Sequence, residues 1–257
     1  MTEHLEIYDA RELGILTNPK TYDKIESLIL FSVDLTSFPR EICQMSNLKS
    51  LSVIASQLQN LPKEIGQLKS LKELQLQFTQ IENLPKEIGQ LKSLERLLLS
   101  NKLTRLPAEI GQLSNLEYLY VESYELENLP KEIGQLKSLK QLHLEYTNFD
   151  LPKEIGQLKS LEELHLDGIN MTSLPVEIGQ LSNLKTFVIW LWLKDPHQKI
   201  KVPTSLKKFL TRRIGRYPEE FEFIPEKVIN PKTNRYISVG KSTYNKLVDE
   251  GLIWEPV

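Results

Sequence analysis

The stretch LPKEIGQLKSL, Leu61 to Leu71, decides the fold, because the same eleven letters return from Leu84, from Leu129 and from Leu151. Close variants begin at Phe38 (FPREICQMSNL), Leu106 (LPAEIGQLSNL) and Leu174 (LPVEIGQLSNL). Working outward, the units start at Ile25, Leu48, Leu71, Leu94, Leu116, Leu139 and Leu161, with a partial eighth at Leu184. Five units are 23 residues long, and those starting at Leu94 and Leu139 are 22. A period of about 20–50 residues is the signature of a solenoid.

The spacing inside a unit has a direct physical reading. In Leu74-Gln75-Leu76 the leucines share one side of a strand and Gln75 takes the other. Pro85 has no backbone N–H and closes the strand-and-turn stretch. Ile88 and Leu91, three apart, lie on one face of a short helical turn. Seven apolar positions per unit face inward. One unit alone cannot bury them, but stacked units share a continuous core, and each buried Leu or Ile stabilises by roughly 1.5–3 kcal/mol. The expected fold is an α/β solenoid: a horseshoe with a concave parallel β-sheet, short helical turns on the convex side and terminal caps. The expected organisation is an N-terminal cap at 1–24, the solenoid at 25–193, a basic amphipathic cap at 194–216 and a small tail subdomain at 217–257. The Lys, Glu and Gln side chains of the repeated phrase are expected to be a solvated convex face.

The pattern LPxEIGxLxxLxxLxL resembles the Ras-suppressor type of leucine-rich repeat, which also occurs in plant Ras-group proteins and in bacterial and large-virus proteins. The resemblance covers about 160 of the 257 residues. It implies a binding surface rather than a catalyst, with small GTPases or other signalling proteins of a host cell as conceivable partners. One departure concerns the asparagine usual at the ninth position, which bonds from coil to coil. Here that position holds Val33, Ser56, Thr79, Tyr124, Thr147 and Ile169, and only Asn101 fits. The expectation is a weak ladder, with coil-to-coil cohesion resting on apolar packing.

Composition bounds the function. The net charge is −2, which gives no global pull toward nucleic acid. The single cysteine, Cys43, stands where other units have Gly, so no intrachain disulfide can form, which suits a reducing compartment. The start, MTEHLEIYDAREL, is too charged for a signal peptide, and the longest apolar run, Phe187 to Leu193, is too short to span a bilayer. A cytoplasmic protein is expected, in the host cytoplasm if the source is viral.

Where units differ, recognition should reside. The outward fifth-position column reads Ile29, Ser52, Gln75, Leu98, Tyr120, His143, His165 and Val188. The seventh reads Phe31, Ile54, Gln77, Ser100, Glu122, Glu145, Asp167 and Trp190, and the third includes Arg96, Tyr118, Gln141 and Glu163. Three adjacent carboxylates form an acidic stripe flanked by rings, and aromatic residues are favoured interface anchors. The candidate partner-binding set is therefore Arg96, Tyr118, Tyr120, Glu122, His143, Glu145, Tyr146, His165, Asp167 and Trp190, facing a basic protein surface or peptide. His143 and His165, near Glu145 and Asp167, are chemically able to ligate zinc. The face is open and lacks an evident second shell, so no metal and no cofactor is expected. Acid–base catalysis by the paired carboxylates would need an enclosed site, so no catalytic residue is assigned.

The C-terminal third raises two alternatives. Residues 199–216 carry seven basic side chains and no acidic one. Leu206, Phe209, Leu210 and Ile214 have helical spacing there, which fits a cap and also a peripheral membrane or nucleic-acid binder. Phe187 to Leu193 is apolar on both faces, so a cap covers it or a second copy docks there as a homodimer. A ubiquitin-ligase-like effector is disfavoured, because the sole cysteine lies in the first repeat. Val239 to Thr243 (VGKST) lacks the first glycine of a phosphate-binding loop, Arg235 standing in its place. The stretch from Ile229 to Gly251 is similar to the short segment of the two-cysteine adaptor family of large DNA viruses, through Asn230, Pro231, Thr233, Arg235, Ile237, Thr243, Tyr244, Lys246 and Leu247. Both cysteines of that family are absent.

Overall fold

Each L-x-L alternation becomes a strand, and the strands pair in chain order. A computed structural model describes residues 3–191 except 9–13, 15, 17, 32–34, 170 and 172, and beyond them 200–203, 206, 221–224, 228–229 and 236–237. The main sheet comprises β1 (Glu3–Ile7), β2 (Ile25–Phe31), β3 (Ser50–Ile54), β4 (Glu73–Gln77), β5 (Arg96–Asn101), β6 (Tyr118–Ser123), β7 (Gln141–Glu145), β8 (Glu163–Ile169) and β9 (Thr186–Leu191). All nine are parallel and each pairs only with its chain neighbours within this sheet. β1 precedes the first repeat and extends the sheet by one strand. This is the horseshoe that the repeat spacing predicts.

The convex turns are 3-10 rather than α-helical, and the sequence period explains why. Pro62, Ile65, Leu68 and Leu71 are each three apart. Ile65 N donates to Pro62 O (3.1 Å), Leu68 N to Ile65 O (3.2 Å) and Leu71 N to Leu68 O (3.1 Å). Three residues per turn place the apolar side chains above one another, so Ile65, Leu68 and Leu71 all point into the core. The same turn recurs at Lys86–Gln90, Ala108–Gln112, Lys131–Gln135, Lys153–Gln157 and Val176–Gln180. The seven inward positions of one unit, Leu71, Leu74, Leu76, Ile81, Leu84, Ile88 and Leu91, are all buried within one hydrophobic cluster that runs the length of the described solenoid.

The glycine of each turn is fixed by the next coil. A Cβ on Gly89 would lie 2.5 Å from the carbonyl oxygen of Glu109, and one on Gly111 would lie 2.5 Å from that of Glu132. Cys43, at the equivalent place in the first repeat, is accommodated where the entry backbone differs: Pro39 has ψ 112°, against 140–153° at the later prolines. Its thiol is buried, and desolvation, reinforced by Glu64, pushes its pKa up to about 12, which makes it a packing group rather than a nucleophile.

The repeated phrase is exposed to solvent at its lysines, as expected, and it also carries bonds between coils. Lys69, Lys92, Lys137 and Lys159 each extend the ammonium to a main-chain carbonyl of the next coil, that of Gln90, Gln112, Gln157 and Gln180 respectively. In the SNL variants, Asn47, Asn115 and Asn183 donate instead to the coil behind, at Asp23 O, Lys92 O and Lys159 O. One expectation about the coil needs correction, at the ninth position, where buried hydroxyls stand. Ser56, Thr79 and Thr147 are buried there, but in the fifth unit the inward residue is Ser123 and not Tyr124. Ser123 Oγ donates to Leu103 O (2.7 Å) and accepts from Glu125 N (3.2 Å). In the units of Ser56, Thr79 and Thr147 the preceding residue adopts positive φ (Ala55, Phe78, Tyr146), which turns the ninth residue inward. The fifth unit turns in one residue earlier and leaves Tyr124 outside. Val33 and the side chain of Ile169 lie outside the described residues.

At the C-terminal end, Phe187 and Ile189 of β9 join the core while Val188 takes the concave side. The stretch Ile200–Pro203 (β10) pairs in parallel with Phe221–Ile224 (β11), and Val202 and Leu206 are buried in the same hydrophobic cluster. Val228–Ile229 (β12) pairs antiparallel with Tyr236–Ile237 (β13). The rest of the expected basic helix, the VGKST stretch and most of the adaptor-like segment lie outside the described residues. Among the described residues, no helix is long and apolar enough to cross a membrane.

Candidate functional site on the concave sheet

The parallel register converts the sequence columns into rows of touching side chains. Arg96, Tyr118, Gln141 and Glu163 are successive partners across β5 to β8. Leu98, Tyr120, His143, His165 and Val188 form the next row, and Ser100, Glu122, Glu145, Asp167 and Trp190 the third. Neighbouring strands are about 4.8 Å apart, close enough for adjacent side chains in a row to meet.

They meet as a connected network. The Arg96 guanidinium lies over the Tyr118 ring, 4.4 Å from its centre, and its Nε is 3.4 Å from Glu73. Tyr118 is 5.2 Å from the His143 ring in a tilted contact. His143 and His165 stack face to face, 4.1 Å apart with 5° between planes. Tyr120 Oη reaches Glu145 (2.9 Å) and Glu122 (3.2 Å), so one phenol proton is shared between two facing carboxylates. On the strand-end rim, Tyr124 stacks on Tyr146 at 4.7 Å.

Half-burial sets the electrostatics. Desolvation, with its stacked neighbour His165 second, pulls the pKa of His143 down to about 4, so at neutral pH it is an uncharged ring. Asp167 is shifted upward, first by burial and then by Glu145 beside it. Burial also raises Tyr118, against the opposing pull of Arg96. Tyr120 is raised by burial and by its bond to Glu145. The floor is thus a strip of rings, with the His143 imidazole uncharged, beside a row of adjacent carboxylates. Asp167 Oδ1 is buried and has no hydrogen-bond partner among the described residues.

Nine of the ten expected site residues fall on this surface with described side chains. For Trp190 the backbone pairs with Asp167, and its side chain lies outside the described residues. Two participants were not singled out from sequence. Glu73, which holds Arg96, sits one strand before the varied units. Tyr124 was assigned to the inward ladder, and the buried serine immediately before it was the signal to read. Among the described residues, the metal-capable side chains that come together are His143, Glu163 and His165, rather than the histidines with Glu145 and Asp167.

This architecture has known counterparts. A leucine-rich repeat region profile matches residues 32–148 and 98–216. No curated protein sequence matches the chain. Among solved structures it is similar to a leucine-rich-repeat protein of Leptospira interrogans, at 32% identity and TM-score 0.63 over 87% of this chain and 58% of that one. It is also similar in fold to the leucine-rich repeat domain of the type III effector XopL, at 21% identity and TM-score 0.58 over 84% of this chain and 81% of that one. The ectodomain of the Arabidopsis thaliana receptor kinase GASSHO1/SCHENGEN3, in complex with CASPARIAN STRIP INTEGRITY FACTOR 2, aligns at 22% identity and TM-score 0.57 over 75% of this chain and 24% of that one. The chain thus spans a little over half of the Leptospira protein and about a quarter of the receptor ectodomain. From its repeats, its sheet and these matches, the chain belongs to the leucine-rich-repeat family.

Proposed function

We propose that this protein is a non-catalytic recognition scaffold that docks a basic protein segment on the concave face of β5 to β9. The observation that carries the reading is the acidic row Glu122, Glu145 and Asp167, in register beside the ring row Tyr120, His143 and His165. A lysine or arginine laid along that row would offset the burial and the Glu145 charge that together raise Asp167, and its stem would lie on the rings. Arg96 marks one end, where Glu73 and Tyr118 already hold a guanidinium in the way a partner's arginine would be held farther along. Leucine-rich repeats commonly serve as protein-interaction scaffolds, and the GASSHO1/SCHENGEN3 ectodomain is in complex with CASPARIAN STRIP INTEGRITY FACTOR 2. The LPxEIGxL spacing favours the Ras-suppressor subclass, and with it a signalling protein as the source of the segment. A cytoplasmic location is part of the same proposal.

The test is selection from a random peptide library on the purified wild-type chain. Enrichment of Lys- or Arg-containing sequences, lost on a still-folded Tyr118→Ala/Tyr120→Ala/Glu122→Ala/Glu145→Ala variant, supports the reading. Enrichment of acidic or purely apolar peptides, or equal enrichment on both proteins, contradicts it.

A further inference from the structure

We infer that His143, His165 and Glu163 form a binding site for a borderline divalent metal ion of the zinc type, on the floor of the concave sheet between β7 and β8. One donor atom from each of the three side chains lies within 4.8 Å of the other two. His165 Nε2 and Glu163 Oε2 are 3.8 Å apart. That separation is too long for a hydrogen bond. It is spanned by one ion bound at about 2.1 Å to each, with an angle of roughly 130° at the metal. The Nε2 atoms of both histidines are buried and have no hydrogen-bond partner among the described residues. Buried polar atoms are nearly always satisfied, and ligation satisfies both at once.

The chemistry selects the ion. Two imidazoles and one carboxylate suit zinc, nickel or copper and disfavour calcium and magnesium, which take oxygen ligands. Donors around a tetrahedral ion sit about 3.4 Å apart, and for both imidazole lone pairs to converge on one ion the near-parallel rings must tilt out of their stack. The parallel register places the two histidines side by side on adjacent strands, and Glu163 lies two residues before His165 on the same face. Three protein ligands leave one position of a tetrahedral ion for water or for a partner's side chain. The inference does not depend on the proposed basic partner, and its test uses the ion alone.

The experiment is a calorimetric titration of the full chain with zinc chloride at neutral pH, beside His143→Gln, His165→Gln and a His4→Gln/His197→Gln control. The expected result is one ion per chain, with affinity reduced at least about tenfold in each of the first two variants and unchanged in the control. Should the variants not fold, imidazole nitrogen spectra of the wild type provide the second reading, with zinc shifting the signals of two stacked, half-buried rings and not those of His4. Binding weaker than about 100 µM, binding lost only in the control, or spectral changes confined to other histidines would each overturn the inference. In that case the pair His165 and Glu163 is an ordinary ion pair.

Discussion

Ser123 shows how much one side chain can decide. Its hydroxyl links two coils, donating to Leu103 O and accepting from Glu125 N, in a fully buried setting. Ser123→Ala leaves those backbone groups short of a partner, and urea denaturation is expected to show a loss of about 1–2 kcal/mol. Counting repeats from the first leucine assigned that task to Tyr124, because a fixed offset cannot see a turn made one residue early. His143 provides the pH prediction. In the folded chain its pKa is about 4, against an ordinary 6.5, so folding favours the neutral ring. The sign follows: this contribution is fully present above about pH 6.5 and is lost as pH falls from there toward 4. Asp167, shifted upward, acts in the opposite sense as its carboxyl takes up a proton. Comparing stability against pH for wild type and His143→Gln, in the presence of a chelator, isolates the histidine. The variant should lose less stability across that window, and parallel curves would refute the assignment.

At the scale of the element, the strand and the turn were legible to different depths. The strands follow from L-x-L alternation, and from β5 to β8 the expected concave columns appear as register partners. The turn was legible as helical but not as 3-10, although Pro62, Ile65, Leu68 and Leu71 are spaced by three rather than by a mixture of three and four. The glycine of the turn was visible as a repeated letter, but its reason lay in the neighbouring coil, which no single unit displays. Gly111→Ala forces a Cβ against the Glu132 carbonyl, and overpacking of this kind costs about 1–3 kcal/mol. Gly179, in the last 3-10 turn of the series, is exposed. Gly179→Ala should therefore cost clearly less, and equal losses in thermal unfolding would show that backbone conformation rather than coil stacking selects the glycine.

Across the whole molecule, one apolar cluster holds the coils together and ion pairs decorate them. The second-position column pairs the units two by two, as Lys49 with Glu26, Lys72 with Glu95, Lys140 with Glu117 and Lys185 with Glu162. These pairs are solvent-exposed and screened by salt, so they stabilise little. Raising the ionic strength should leave the thermal midpoint nearly unchanged while weakening any basic peptide held on the acidic row. A midpoint that falls steeply with salt would mean that the ion pairs, and not the core, hold the coils. The solenoid was readable from sequence because its period repeats the same physics in every unit. The site was readable only as columns, since stacking of His143 on His165 and the sharing of the Tyr120 proton depend on side-chain placement across strands.

The central claim is that recognition resides on the concave rows of β5 to β9, and one binding comparison tests it directly. A Lys- and Arg-containing peptide selected on the wild type is titrated against two folded variants. One is Tyr118→Ala/Tyr120→Ala/Glu122→Ala/Glu145→Ala on the concave face, and the other is Lys69→Ala/Lys92→Ala/Lys137→Ala on the convex face. The account predicts that the concave variant loses affinity at least about tenfold, equivalent to about 1.4 kcal/mol, while the convex variant binds as the wild type does. Retained binding by the concave variant, or loss confined to the convex one, would contradict it.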